Sequence, residues 1–270
     1  MSAQTRVLVT GAAGRIASRV IPLLGKPFDL RLTDSQPVTA PPFPFERADL
    51  LESEQVARVT RGVDAIVHLA IASRSNFKFG RAALTDKEER EEHSFHLESI
   101  DVNVKGTCNL FRAATLAGVG QIVYVSSLTV VLGNPPPDWL TEGMPVRPLG
   151  VYGCTKLFGE QLGEFYARER GLRVVCLRLG QPYPFGIPHE KERKFTPSGR
   201  GTLLGFEDIA QAIECALCAT HIQFGVYHIV SESPWRKVDI AAAARDLGYV
   251  PRQFCDENGN MVPNPGRAPA

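Results

Sequence analysis

The chain has 270 residues, 44% of them apolar, enough to bury a full core as one large α/β domain or as one domain with a small appendage. Thirty basic residues against twenty-nine acidic ones leave a formal charge of +1 with no basic block to track a phosphate backbone, which argues against nucleic acid as a partner. No apolar run approaches the roughly 18–20 residues a bilayer crossing needs, and the first one, Val7 to Val9, enters a glycine turn where a secretory leader would have a cleavage site, so a soluble, cytoplasmic protein without membrane contact is expected.

Taken in chain order, short β-rich runs alternate with helical patterns: RVLVT, then GRIASRVIPLLG, DLRLTD, SEQVARVTRG and DAIVHLA. A long helix is expected from about Ser94 to Ala117, followed by the strand QIVYVSS, a helix around Tyr152 and the strand RVVCLRLG. Strands separated by helices of this length require right-handed crossovers and predict an α/β fold with a Rossmann-type, doubly wound parallel sheet. The nearly uniform apolar runs IVHLA and IVYV suit strands buried on both faces.

Beyond Gly180 the alternation loosens into a segment rich in Pro and charge, then the helix FEDIAQAIECAL, the strand VYHIV and a last helix RKVDIAAAARDLG. A core over residues 1–180 and a small C-terminal substrate cap over 181–270, partly interleaved with the core, are therefore expected. The polar tail from Cys255 is expected to pack loosely. The six cysteines look like scattered core residues, not a disulfide framework.

The stretch VLVTGAAGRIAS reads as strand, glycine turn and helix. Gly11 permits the tight turn, Gly14 lets backbone approach a pyrophosphate, and Ala17 keeps helix and strand close. Asp34 ends the second strand, 23 residues after Gly11, where a carboxylate would accept from ribose hydroxyls and repel a 2′-phosphate, so NAD is expected over NADP. As a bare pattern, Asp34 equally suits an aspartate that starts a turn.

In GVYGCTKLFGE, Tyr152 and Lys156 lie four residues apart and share one helical face. Together with TGAAGRIA, Asp34, ADL, VHLA, SIDVNVKGTCNLFRAA, VYVSS, TEGMPVRPLGVYGCTK, LRLGQPY, GFEDIAQAIECAL and VYHIVSESP, all in order, they give a chain that resembles the extended short-chain dehydrogenases/reductases of the NAD-dependent epimerase/dehydratase family. The resemblance runs from residue 6 to about 251 and implies an NAD-dependent oxidoreductase in which Tyr152 is the general acid/base, Lys156 its electrostatic partner and Ser127 the hydroxyl that orients the substrate oxygen. Ser126 and Thr129 compete for that last role. A cation 4–6 Å away would favour ionisation of a phenol by roughly one to three units. The resemblance further implies that Gly11, Gly14, Arg15, Ile16, Asp34, Asp49 and Leu50 hold the cofactor, that His68, Leu69 and Ala70 run past it, and that Asn103 braces the site. Asn103, Tyr152 and Lys156 are also expected on the cofactor. A homodimer through the long helix and the Tyr152 helix is implied as well.

The 114 residues after Lys156 leave little room for a nucleotide-diphosphate sugar pocket, and the length is similar to that of compact uronate dehydrogenases. A small sugar or sugar acid with a secondary alcohol is the expected substrate. A sugar epimerase or dehydratase and an idle dinucleotide-binding regulatory module are the alternatives. Lys191, Arg193, Lys194 and Arg200 could receive an acid or phosphate group. No metal is expected, since neither Cys215 with Cys218 nor His93 with His96 has a second pair of ligands.

Overall fold

The structure is a computed structural model and describes residues 4–24, 27–72, 85–134, 139–184 and 201–266. Lys191, Arg193, Lys194 and Arg200 lie outside the described residues.

Seven parallel strands form the main sheet: β1 (Thr5–Thr10), β2 (Phe28–Asp34), β3 (Phe45–Arg47), β4 (Ala65–His68), β5 (Gln121–Ser127), β6 (Arg173–Leu179) and, as the seventh, Phe224–Ile229. A two-stranded parallel pair, β7 (Gln181–Pro182) and β8 (Leu203–Leu204), lies between them in sequence, so the seventh is β9. The order is β3-β2-β1-β4-β5-β6-β9, with the reversal of direction between β1 and β4. A crevice opens beyond the carboxyl ends of strands at such a switch point.

Side chains alternate across the strands and build two cores. Val7, Val9, Val67, Val123, Val175 and Leu177 face one side. Leu8, Ile66, Ile122, Tyr124, Val174 and Cys176 face the other. The first layer is closed by α1 (Ala17–Val20) and by the helix Phe206–Cys218. The second is closed by α2 (Ser53–Val59), α4 (Thr107–Leu116) and α5 (Gly150–Arg170), with α3 (Asp86–Ile100) leading into α4. Phe206–Cys218 is α6.

Several expectations change. The helix after the glycine turn is one turn long and tightens into a 3₁₀ turn at Ile21–Leu23, because Pro22 has no amide hydrogen to continue the ladder. The long helix begins earlier, at Asp86, where Thr85 and Glu88 form a reciprocal capping box. It widens to a π-turn at Asp101–Gly106. The strand VYHIV joins the main sheet as β9, and the last helix shrinks to residues 241–247 because Val238 instead bridges Leu140. The described part of the tail is not loose: Gln253–Cys255 and Met261–Pro263 form an antiparallel hairpin, with Cys255 fully buried. Its anchor is Asp208 in the first turn of α6, whose carboxylate accepts from Arg252 N at 2.5 Å, Gln253 N at 3.2 Å and Ser231 Oγ at 2.5 Å.

Helix α5 lies close to the sheet because Gly159 faces the ring of Tyr124, where a Cβ would stand 2.7 Å from Cε1 and closer still to the hydroxyl. Gly159→Ala is therefore expected to cost about 3 kcal/mol or more through overpacking, read as a lowered denaturant midpoint at unchanged slope.

Candidate active site

A cleft of about 940 Å³ opens beyond the carboxyl ends of β1, β4 and β5. Asp34, Ser35 and Gln36 line one end, and Ser127, Thr129, Tyr152, Gln181 and Thr202 the other.

The glycine turn forms its floor. Gly11 takes φ +75°, and a Cβ there would meet Ala70 N at 2.5 Å, so the turn and the end of β4 pack backbone to backbone. Gly14 N donates to Gly11 O at 2.9 Å, and a Cβ at Gly14 would stand 3.0 Å from the same oxygen. Asp34 accepts from Ala13 N at 3.0 Å and from Gln36 N at 2.8 Å, so it is both a turn-forming residue and a tie to the glycine loop. Arg15, Ile16, Asp49, Leu50, Leu69 and Ala70 all line the cleft. Asp49 Oδ1 accepts from Leu51 N at 2.9 Å, and Leu50 O accepts from Asn109 Nδ2 at 2.8 Å, which fixes this wall.

His68 faces away from the cleft. Thr107 Oγ1 donates to Asn103 O at 2.6 Å, so it accepts from His68 Nε2 at 3.1 Å, which leaves His68 Nδ1 to accept from Thr10 Oγ1 at 2.7 Å. Burial, reinforced by Lys156, drives this imidazole down to about 3 and keeps it neutral. Asn103 also sits behind the wall, in the π-turn, with both polar ends engaged. Its Oδ1 accepts from Ala72 N at 2.8 Å and its Nδ2 donates to Thr155 Oγ1 at 3.0 Å. Thr155 Oγ1 donates in turn to Tyr152 O at 2.8 Å, so Asn103 braces the tyrosine helix and does not reach the cleft.

Three hydroxyls compete at the end of β5. Ser126 Oγ donates to buried Glu160 at 2.6 Å, away from the cleft. Thr129 lines the cleft, yet its Oγ1 is buried with no partner among the described residues. Ser127 accepts from Thr129 N at 3.2 Å and lines the cleft together with Tyr152, whose ionisation its hydroxyl favours.

Lys156 is almost fully buried behind Tyr152. Its ammonium donates to Val125 O at 2.7 Å and lies 5.0 Å from the Tyr124 ring centroid and 5.9 Å from that of Tyr152. Its head is turned inward and is not part of the cleft lining. Here the expected electrostatics are corrected. Burial pushes Tyr152 up to about 12, with the Ser127 hydroxyl the opposing influence, and burial drives Lys156 down to about 7. Desolvation is the largest influence on both groups.

Sequence reading missed the buried ion pair behind the site, Glu160 with Arg178. Its signal was available: Glu160 stands four residues after Lys156 on the same helical face.

The residues fit a dinucleotide. The Gly11 cradle would be filled by any side chain, the acid Asp34 stands at one end of the cleft, and the Ser127–Tyr152 pair stands at the other.

The chain is similar to several known proteins. NAD-dependent glucose-6-phosphate dehydrogenase of Haloferax volcanii is 27% identical over 91% of this chain and 92% of its own. Uronate dehydrogenase of Pseudomonas putida is 29% identical over 92% of this chain and 84% of its own. A crystal structure of uronate dehydrogenase from Agrobacterium tumefaciens, a tyrosine-to-alanine mutant complexed with NAD, superposes with a TM-score of 0.76 at 25% identity, covering 97% of this chain and 92% of that one. Residues 7–205 match the family described as the NAD dependent epimerase/dehydratase family, and the chain belongs to that family.

Proposed function

We propose that this protein is an NAD-dependent dehydrogenase that oxidises a secondary alcohol of a small sugar or sugar acid. The observation that carries this reading is the pairing of Ser127 and Tyr152 on the cleft end opposite Asp34, with Lys156 buried behind Tyr152. The match over nine-tenths of the chain to sugar dehydrogenases of similar length supports the substrate class.

In this reading Gly11, Gly14, Arg15, Ile16, Asp34, Asp49, Leu50, Leu69 and Ala70 hold NAD. The bound dinucleotide supplies the hydride acceptor. Ser127 Oγ orients the alcohol oxygen, and Tyr152 Oη takes its proton. Lys156 supplies positive charge behind the phenol through its bond to Val125 O. Asn103 holds the helix on which Tyr152 and Lys156 stand. The described residues outside the seven-stranded sheet at this end of the chain, 181–184, 201–204 and 230–266, belong to the substrate cap.

The test is a panel of free sugars, sugar phosphates, uronic acids, polyols and nucleotide sugars with NAD or NADP, following reduced cofactor and product stereochemistry together. One small alcohol is expected to give net NADH. An epimerised product without NADH, or silence where known relatives react, would overturn the reading.

Asp34→Ala is expected to raise the KM for NAD about ten- to a hundredfold, the worth of hydrogen bonds to a charged group. Discrimination against NADP would fall with it, while kcat changes little. Initial rates with both cofactors measure this.

No described helix is long and apolar enough to cross a membrane. We propose a cytoplasmic homodimer joined through the long helix near residues 100–117 and α5, whose surfaces expose Ile100, Leu116 and Phe165. Sedimentation is expected to give twice the chain mass, and the monomer mass would refute the pairing.

A further inference from the structure

The last three residues of β5 lie beside three different side chains of α5. Val125 O accepts from Lys156 Nζ, Ser127 lines the cleft with Tyr152, and Ser126, between them, donates to Glu160 Oε1 at 2.6 Å. Glu160 also receives Arg178 in a forked pair, Nε at 2.9 Å and Nη2 at 2.7 Å. Glu160 is 1% exposed and Arg178 6%. A buried pair of this kind is weak evidence for stability, because its desolvation offsets most of the attraction. Its place is what gives it meaning: Glu160 stands one helical turn beyond Lys156 and grips the strand residue between the two that adjoin the proposed acid/base pair.

We infer that Glu160 is a positioning residue of that pair: through Ser126 it fixes the end of β5, and one turn along α5 from Lys156 it supplies the buried carboxylate whose charge favours the Lys156 ammonium. The inference rests on the Tyr152–Lys156 reading above.

Among the described residues, the groups around Lys156 leave no other source for that charge. From α5 it meets Tyr152 and Glu160, from β5 Tyr124, from β6 Cys176 and from β4 His68. Burial holds the Tyr124 phenol and the Cys176 thiol neutral and His68 uncharged, so Glu160 is the one carboxyl among them. Arg178 faces Glu160, and His228 on β9, driven down to about 4 by burial and by Arg178, adds no charge at neutral pH. The balance at Lys156 agrees: burial lowers its ionisation, and Glu160 is the largest opposing influence.

The test follows Lys156 directly, by NMR titration of ¹³Cε-lysine in the cofactor-free protein, with the signal assigned by Lys156→Met. Glu160→Gln is expected to lower the midpoint by about one pH unit, and the pH–rate profile of NADH formation should move to lower pH with it. Glu160→Asp, which keeps the charge, should stay near the wild-type midpoint even where its unfolding temperature falls. If Glu160→Gln leaves Arg178 unpaired and does not fold, Glu160→Gln with Arg178→Met removes both charges and should still titrate below the wild type. A folded Gln variant, single or double, with an unmoved midpoint overturns the inference, as does an Asp variant displaced as far as Gln. Either result leaves the function reading standing. That reading fails separately, if Tyr152→Phe turns over normally.

Discussion

Tyr152→Phe is expected to lower kcat at least about a thousandfold, within the range that positioned acid/base groups contribute, while cofactor affinity stays within a few-fold of the wild type. The phenol lines the cleft with Ser127, whereas the glycine turn and Asp34 lie at the other end, so the substitution removes a proton acceptor and spares the dinucleotide contacts. The fold should tolerate the change, since the Asn103–Thr155 brace reaches the backbone of residue 152 and not its ring.

The pH dependence carries the same signature. Burial holds the Tyr152 phenol at about 12, above its ordinary value, so near neutrality only a small fraction is ionised. Alcohol oxidation needs the ionised form, and its rate should therefore rise about tenfold per pH unit on the alkaline side of neutrality until the coupled tyrosine and lysine have titrated. The phenylalanine variant should be flat over that range. Steady-state rates across pH, with NAD binding followed by fluorescence, measure both effects. A variant with ordinary turnover would refute Tyr152 as the base.

Gly11→Val is the second large effect: loss of NAD binding by more than about a hundredfold, together with a lower unfolding temperature. Two costs coincide. The residue holds φ +75°, a conformation that strains any β-branched side chain by about 1–3 kcal/mol. The added Cβ would also stand 2.5 Å from Ala70 N and 2.6 Å from Ala70 Cα, and backbone atoms cannot rotate aside. Relief requires the turn to lift from β4, which widens the cleft floor at the place where phosphates would approach the backbone. Calorimetric titration with NAD and a thermal melt test this. Wild-type affinity would show that the turn does not bear the cofactor.

Much of this was legible in the sequence because it was local. The alternation of apolar runs and helical patterns fixed strand and helix identity for β1, β2, β4, β5, β6 and α5, whose residues pack on both faces of the sheet or along one helical stripe. The glycine turn was legible because positive φ selects for glycine in one residue. The i,i+4 spacing of Tyr152 and Lys156 put them on one face without knowledge of what they meet.

Tertiary structure decided whatever depended on partners distant in the chain. VYHIV reads equally as a cap strand or a core strand until the exposed edge of β6 claims it. The polar tail becomes an ordered hairpin because Asp208, 45 residues before Gln253, offers acceptors for backbone amides that water would otherwise satisfy. Ser126, Ser127 and Thr129 are equivalent on paper, and the pleat of β5 with the position of Glu160 separates them. The ionisation of Tyr152 and Lys156 ran opposite to the expectation for the tyrosine, because spacing measures attraction between two charges while only the packed interior sets the cost of taking them out of water.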